Sequence, residues 1–195
     1  MTNISALLGS RICHDLINPL GAIGNGIELL ELSGTTNGEE LRLVQESVEN
    51  ATAKVKLMRL AFGDAAVDQV VPRRDILSTL DAIARGGRLS YSWNVPGDPN
   101  RQEVRTALLA VMCIETALPL GGDIEITSDQ MSWTIYTRNE RLNLDPELWV
   151  PLSRGDIPQG LAAAHVQFAL LNQMALEAGR SLTLSHGSDW VKIGF

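Results

Sequence analysis

Residues 12–19 read Ile12-Cys13-His14-Asp15-Leu16-Ile17-Asn18-Pro19, and the period of the chain around them decides the first half of the fold. Ile4, Leu8, Ile12, Leu16, Leu20, Ile23, Ile27 and Leu30 recur at spacings of three and four. Such a period belongs to an amphipathic helix with one apolar stripe. The helix is expected to stop at Ser33-Gly34, where glycine suits a C-terminal cap. At about 100° per residue, His14 falls almost opposite the stripe, so its imidazole is expected at solvent or at a partner.

Further on, Gly34 to Gly38 (Gly-Thr-Thr-Asn-Gly) is turn chemistry, and Glu39 and Glu40 suit the first turn of a second helix, where the backbone dipole favours negative charge. Leu41, Val44, Val48, Ala51, Val55, Met58 and Phe62 then alternate spacings of three and four, a heptad seam. Two long helices joined by so short a loop are expected to pack antiparallel. A lone hairpin leaves part of each seam uncovered. The hairpin, residues 1–66, is therefore expected to form a four-helix bundle in a homodimer.

The pattern lapses from Asp64 to Pro72, and Val70-Val71-Pro72 reads as an extended linker. Residues 73–195 mix periods. Residues 73–85 read as a helix, Leu89–Val95 as a strand, Pro96-Gly97-Asp98-Pro99 as a turn, and 100–118 as a helix with Val104, Leu108, Val111 and Met112 inside. Asp123–Thr127 with Ser132–Thr137, and Ser181–Ser185 with Trp190–Phe195, read as hairpins joined by residues 128–131 and 186–189. A helix from about Gln159 to Ala178 lies between them. Helices on one side of a mainly antiparallel sheet make this half α+β.

The net charge of −7 argues against binding to nucleic acid or an anionic membrane surface, both of which need clustered cations. There is no run of 18 apolar residues to span a bilayer and no secretory pattern at the N-terminus, so a cytoplasmic location is expected. Cys13 and Cys113 have no metal-ligand spacing and read as reduced thiols.

Most exposed helical histidines are simply solvated, so the surroundings of His14 matter. Leu7, Ser10, Arg11, Asn18, Gly21 and Asn25 share its face. Small residues such as Ser10 and Gly21 leave room for another protein to approach. Pro19 removes one backbone hydrogen bond within the helix. Asp15 is suited to accept a hydrogen bond from the ring N–H, selecting one tautomer and leaving the other nitrogen nucleophilic. This is the chemistry a phosphoacceptor histidine needs. Arg11, one turn earlier, is placed to meet phosphoryl oxygens or an acidic partner. His165 and His186 read as structural or incidental.

His14-Asp15-Leu16-Ile17-Asn18-Pro19 resembles the H-box, H-[ED]-x-x-[NST]-P, of the dimerisation and histidine phosphotransfer domain of sensor histidine kinases. The second half is similar in element order to the kinases' Bergerat-type ATP-binding domain. Leu108–Gly122 followed by Ile124-Glu125-Ile126 carries that likeness, as does Gly160-Leu161-Ala162-Ala163-Ala164-His165 through Ala178-Gly179-Arg180-Ser181-Leu182. The resemblance implies an α/β sandwich, degenerate in its nucleotide site. Cys113-Ile114 stands where kinases place the Mg-binding Asn-Ala pair, and sulfur is a poor ligand for so hard an ion. The adenine-reading Asp-x-Gly-x-Gly loop has no counterpart in Thr137-Arg138-Asn139-Glu140-Arg141, and the later glycine-rich loop is reduced to Gln159-Gly160-Leu161. Residues 142–158 are too few for the usual lid.

Arg11-Ile12-Cys13-His14-Asp15-Leu16-Ile17, with Pro19-Leu20-Gly21-Ala22-Ile23, is similar to the ChpT-type histidine phosphotransferases of alphaproteobacteria. That resemblance implies a dimeric phosphorelay protein without ATP binding. It would take a phosphoryl group from the receiver of a hybrid kinase (CckA in the type system) and pass it to response regulators such as CtrA and CpdR. On it, His14 and Asp15 are the catalytic residues, with Arg11, Asn18, Pro19 and Gly21 supporting or docking. No cofactor is implied; Mg²⁺ would come from the receiver's acidic pocket. Two other readings stay open at this point: a kinase core with unusual ATP ligands, and a non-catalytic dimeric adaptor.

Overall fold

The chain builds two long helices and then a sheet covered by helices, in a computed structural model that describes residues 4–33, 38–85, 87–129 and 132–195. Helix α1 spans Ile4–Ser33 and α2 spans Glu39–Phe62, and the two pack along each other. Most of the expected turn at 34–38 lies outside the described residues, as do the side chains of Glu39 and Glu40.

The hairpin covers only part of each apolar seam, as expected of a lone pair of helices. Its outer part is buried at Pro19, Gly26, Ser47 and Ala53. Four seam positions, Leu20, Ile27, Val48 and Val55, remain 46 to 59% exposed. Small residues let two backbones approach closely, and two helices cover only one side of each apolar stripe.

The linker is tied to the start of α4 (Arg101–Thr116) in the second half of the chain. Val71 N–H donates to the Pro99 carbonyl at 2.9 Å, and Arg101 N–H donates to the Gln69 carbonyl at 2.7 Å. Arg101 buries its guanidinium under the end of α2, where Nη1 donates to the Leu60 carbonyl and Nη2 to the Arg59 carbonyl, both at 2.6 Å. The last carbonyls of a helix have no partner within it, and this arginine supplies one from the second half of the chain. Leu60 and Ala61 consequently join the main core.

Beyond the linker run α3 (Arg73–Arg85), β1 (Leu89–Asn94), α4, β2 (Gly122–Ser128) and β3 (Trp133–Arg138). Then come α5 (Pro146–Arg154), a 3-10 turn (Ala163–His165), α6 (Val166–Glu177), β4 (Thr183–His186) and β5 (Trp190–Gly194). The sheet order is β1-β2-β3-β5-β4, with β1 parallel to β2 and the other neighbours antiparallel. Along the strands, Trp93, Ile124, Ile126, Trp133, Ile135, Val191 and Ile193 are buried, while Ser92, Asn94, Asp123, Glu125, Arg138 and Lys192 face water. One covered and one wet face is what period-two alternation dictates. Helix α4 contacts β2 and β3, and buries Val104, Leu108, Val111 and Met112 as expected. Trp133 anchors the core, edge-on to Trp93 at 5.6 Å and stacked on Phe195 at 5.8 Å. This is the expected α+β architecture.

The last two strands pair as the expected hairpin, β4 with β5, and β5 joins that hairpin to the sheet beside β3. Two details differ from the expectation. Helix α6 begins at Val166 rather than near Gln159, because Gly160 adopts a left-handed φ of 64° and the backbone reaches a helix only through the 3-10 turn. Helix α5 is an addition to the periodic reading. Its signals are local: Asp145 accepts from Glu147 N–H at 2.9 Å, Pro146 takes the first turn, and Gly155 closes it at φ 77°.

Candidate functional site around His14

α1 presents His14 with its side chain 74% exposed. The neighbouring acid is turned toward it: Asp15 Oδ1 lies 3.2 Å from His14 Nδ1. An ionised carboxylate only accepts hydrogen bonds, so in the neutral ring this contact favours the tautomer with its proton on Nδ1 and its lone pair on Nε2. Asn18 and Gly21 are exposed on the same helix, and a side-chain carbon added at Gly21 would meet nothing within 4 Å. Pro19, in contrast, is buried.

Arg11 is not on the open face with His14. Its side chain is only 17% exposed; Nε donates to Asp15 Oδ2 at 2.6 Å, and Nη1 donates to the carbonyl of Ala164 in the 3-10 turn. Leu7 likewise packs against the core. The face that helical geometry assigned to all these residues is split, because α6 and its preceding turn press against one edge of α1. From α2, Lys54 Nζ reaches the Asp15 backbone carbonyl at 3.5 Å.

Beneath the histidine, a cavity of about 290 Å³ opens between the hairpin and the sheet. Arg11, Asp15, Lys54, Tyr91 and Glu115 all line it. Tyr91 donates its hydroxyl to Glu115 Oε1 at 2.7 Å. Burial pushes the Glu115 carboxyl above its ordinary range; the Tyr91 bond and the Arg11 charge oppose that shift, while the Asp15 charge adds to it. Burial also drives the Tyr91 phenol upward, with help from Glu115. Neither residue was singled out from sequence. Their meeting joins β1 to the last turn of α4 across 24 residues, and the chain carries no local signal for it.

His165 stands edge-on to Phe168, with ring centroids 6.3 Å apart. Burial and then the charge of Arg11 hold its pKa below the usual histidine value, against a weaker pull from Asp145. Arg42 and Glu46 form an exposed pair at 3.7 Å on α2. Among the described residues, no cluster of three or more His, Cys, Asp or Glu is arranged to hold a metal ion, and no helix is long and apolar enough to cross a membrane.

The family model for the histidine phosphotransferase C-terminal domain matches residues 73–189. The chain is also 30% identical over 192 residues to the protein phosphotransferase ChpT of Brucella abortus (strain 2308), covering 93% of this chain and 90% of that protein. It belongs to the ChpT-type histidine phosphotransferase family. A bacterial phosphotransferase of known structure superposes with a TM-score of 0.82 at 27% identity, over 100% of this chain and 97% of its own. Histidine phosphotransferases of this family transfer phosphoryl groups in phosphorelays, and the chain accordingly has a transferase function. A purely non-catalytic adaptor role is set aside on that ground.

Proposed function

We propose that His14 is the phosphoryl carrier of a relay between aspartates. Nε2 attacks the phosphorus of an aspartyl phosphate on the receiver domain of a hybrid kinase. The N–P bond forms as the P–O bond to the acyl oxygen breaks, releasing the receiver's carboxylate. The ring is then an imidazolium whose remaining proton, on Nδ1, stays against Asp15, and the negative carboxylate stabilises the positive charge. The reverse step delivers the group to the aspartate of a response regulator of the CtrA or CpdR kind. Acyl phosphate and phosphohistidine are both high-energy, so the protein's contribution is mainly positioning, with Mg²⁺ brought by the receiver.

The observation that carries this reading is an exposed imidazole whose Nδ1 already lies against the Asp15 carboxylate. The second copy of the chain is read from the uncovered apolar residues Leu20, Ile27, Val48 and Val55, which would close into a four-helix bundle.

Independence from ATP is supported by the α/β half, residues 73–195. Cys113, at the position of the kinases' Mg-binding asparagine, is completely buried. Burial and then Glu115 push its thiol well above the ordinary range, so it is neutral and no ligand for Mg²⁺. The segment corresponding to a lid forms α5, with Leu148, Trp149 and Leu152 in the core.

The test is to incubate the purified protein with a phosphorylated receiver and look for a phosphate that is labile in acid and stable in base. Its absence, or its persistence after His14→Gln, would overturn the assignment.

A further inference from the structure

Asp15 comes directly after His14, and consecutive residues on a helix point about 100° apart. The helix by itself therefore does not hold this carboxylate against this ring. A side-chain contact anchored in the second half of the chain does so, and α2 supports it at the backbone. Arg11, one turn back, takes Asp15 Oδ2 at 2.6 Å through Nε, and the same guanidinium gives Nη1 to the carbonyl of Ala164, 153 residues away. Lys54 of α2 steadies the Asp15 backbone at 3.5 Å.

We propose that Arg11 is a positioning residue that wires the α/β half to the phosphotransfer histidine: the Ala164 carbonyl fixes the guanidinium, the guanidinium fixes Asp15 Oδ2, and Oδ1 is thereby left on His14 Nδ1. The proposal rests on His14 being the phosphoryl carrier. It gives a role to the α/β half, which offers no reacting group yet presses its 3-10 turn against α1. It also accounts for Arg11 being turned inward, away from any incoming receiver. A planar fork with fixed donors serves two acceptors at once, which the single ammonium of lysine on a flexible stem does not reproduce. His165 and Glu115 both feel the Arg11 charge, which places that charge against the α/β half.

The test uses the full-length protein labelled with ¹⁵N at histidine. Imidazole nitrogen shifts report the tautomer of His14 directly, and single-turnover transfer from a phosphorylated receiver reports the rate. In the wild-type chain the Nδ1–H tautomer is expected to dominate. In Arg11→Lys and Arg11→Ala, His14 is expected to relax toward the Nε2–H mixture of an unrestrained imidazole. The maximal transfer rate should fall about 10-fold or more, and the receiver concentration giving half that rate should not change.

Three results would sink the proposal. A wild-type His14 found mainly as Nε2–H would do so without any variant, which covers the case of Arg11 variants that fail to fold. An unchanged tautomer and rate in Arg11→Lys would do so as well. A raised half-saturation concentration with an unchanged tautomer would make Arg11 a docking residue instead. If the tautomer shifts as expected but the wild-type protein accepts no phosphoryl group, the wiring stands and the carrier assignment fails.

Discussion

Asp15 Oδ1 sits 3.2 Å from Nδ1 of His14, whose side chain is 74% exposed. This pairing makes a direct prediction. Asp15→Asn keeps the size of the side chain but removes its charge, and its amide can present a donor to Nδ1. Transfer from a phosphorylated receiver should slow about 10- to 100-fold, by analogy with loss of the partner that orients a metal-bound histidine. The fold should persist with a modest fall in melting temperature, because Asp15 is only 21% exposed and the substitution removes the charge that pairs with Arg11 at 2.6 Å. Rapid-quench measurement of phosphohistidine formation checks this; a rate within twofold of wild type would remove Asp15 from the reaction.

Nucleotide should leave the protein's stability alone. A ligand at 100 times its Kd stabilises a folded protein by about 2.7 kcal/mol, a shift easily seen by thermal denaturation. With millimolar Mg-ATP, the transition is expected at the same temperature as in buffer. A clear rise in melting temperature would point instead to a kinase core.

Leu20 and Val55 are exposed at 59% and 48% on opposite helices of the hairpin. If they close the bundle in a dimer, Leu20→Glu with Val55→Glu buries charge at that contact and should yield a folded monomer. Sedimentation velocity, paired with circular dichroism, gives the answer. A monomeric wild-type protein at tens of micromolar would contradict the bundle.

Glu115 makes stability depend on pH. Its folded pKa is raised above the ordinary 4.5, chiefly by burial. The folded state therefore binds more protons than the unfolded state once pH exceeds that ordinary value. Its contribution is fully present below the unfolded pKa and is lost as pH rises through the folded pKa. Glu115→Gln should flatten this decline while keeping an acceptor for Tyr91. Urea midpoints from about pH 4 upward, across the carboxylate range, test it; identical slopes for the two proteins would contradict the assignment.

Much of the fold was legible because its signals are local. The spacing of three and four identifies α1 and α2, and alternation identifies the strands within a residue or two of their observed ends. The cap and proline that open α5 are also local, at Asp145-Pro146, but the resemblance makes the same segment a shortened lid. Apolar period also marks seam positions that the hairpin alone leaves uncovered, Val48 and Val55 among them. Period reports which residues share a face, and only the partner surface decides whether that face is covered.

By itself, the sequence determined that His14 lies on a helix face away from the apolar stripe, that a carboxylate comes directly after it, and that Cys113-Ile114 stands where the resemblance to kinases would place Asn-Ala. Each of these is set by residue identity and by a period of a few residues. The tertiary structure decided the rest. It turned Arg11 inward to the Ala164 carbonyl, brought Tyr91 and Glu115 beneath the site, placed β5 between β3 and β4, and buried Cys113 completely. Those outcomes arise from contacts between segments tens to more than a hundred residues apart, whose pairing depends on how whole faces pack and leaves no periodic trace in the chain.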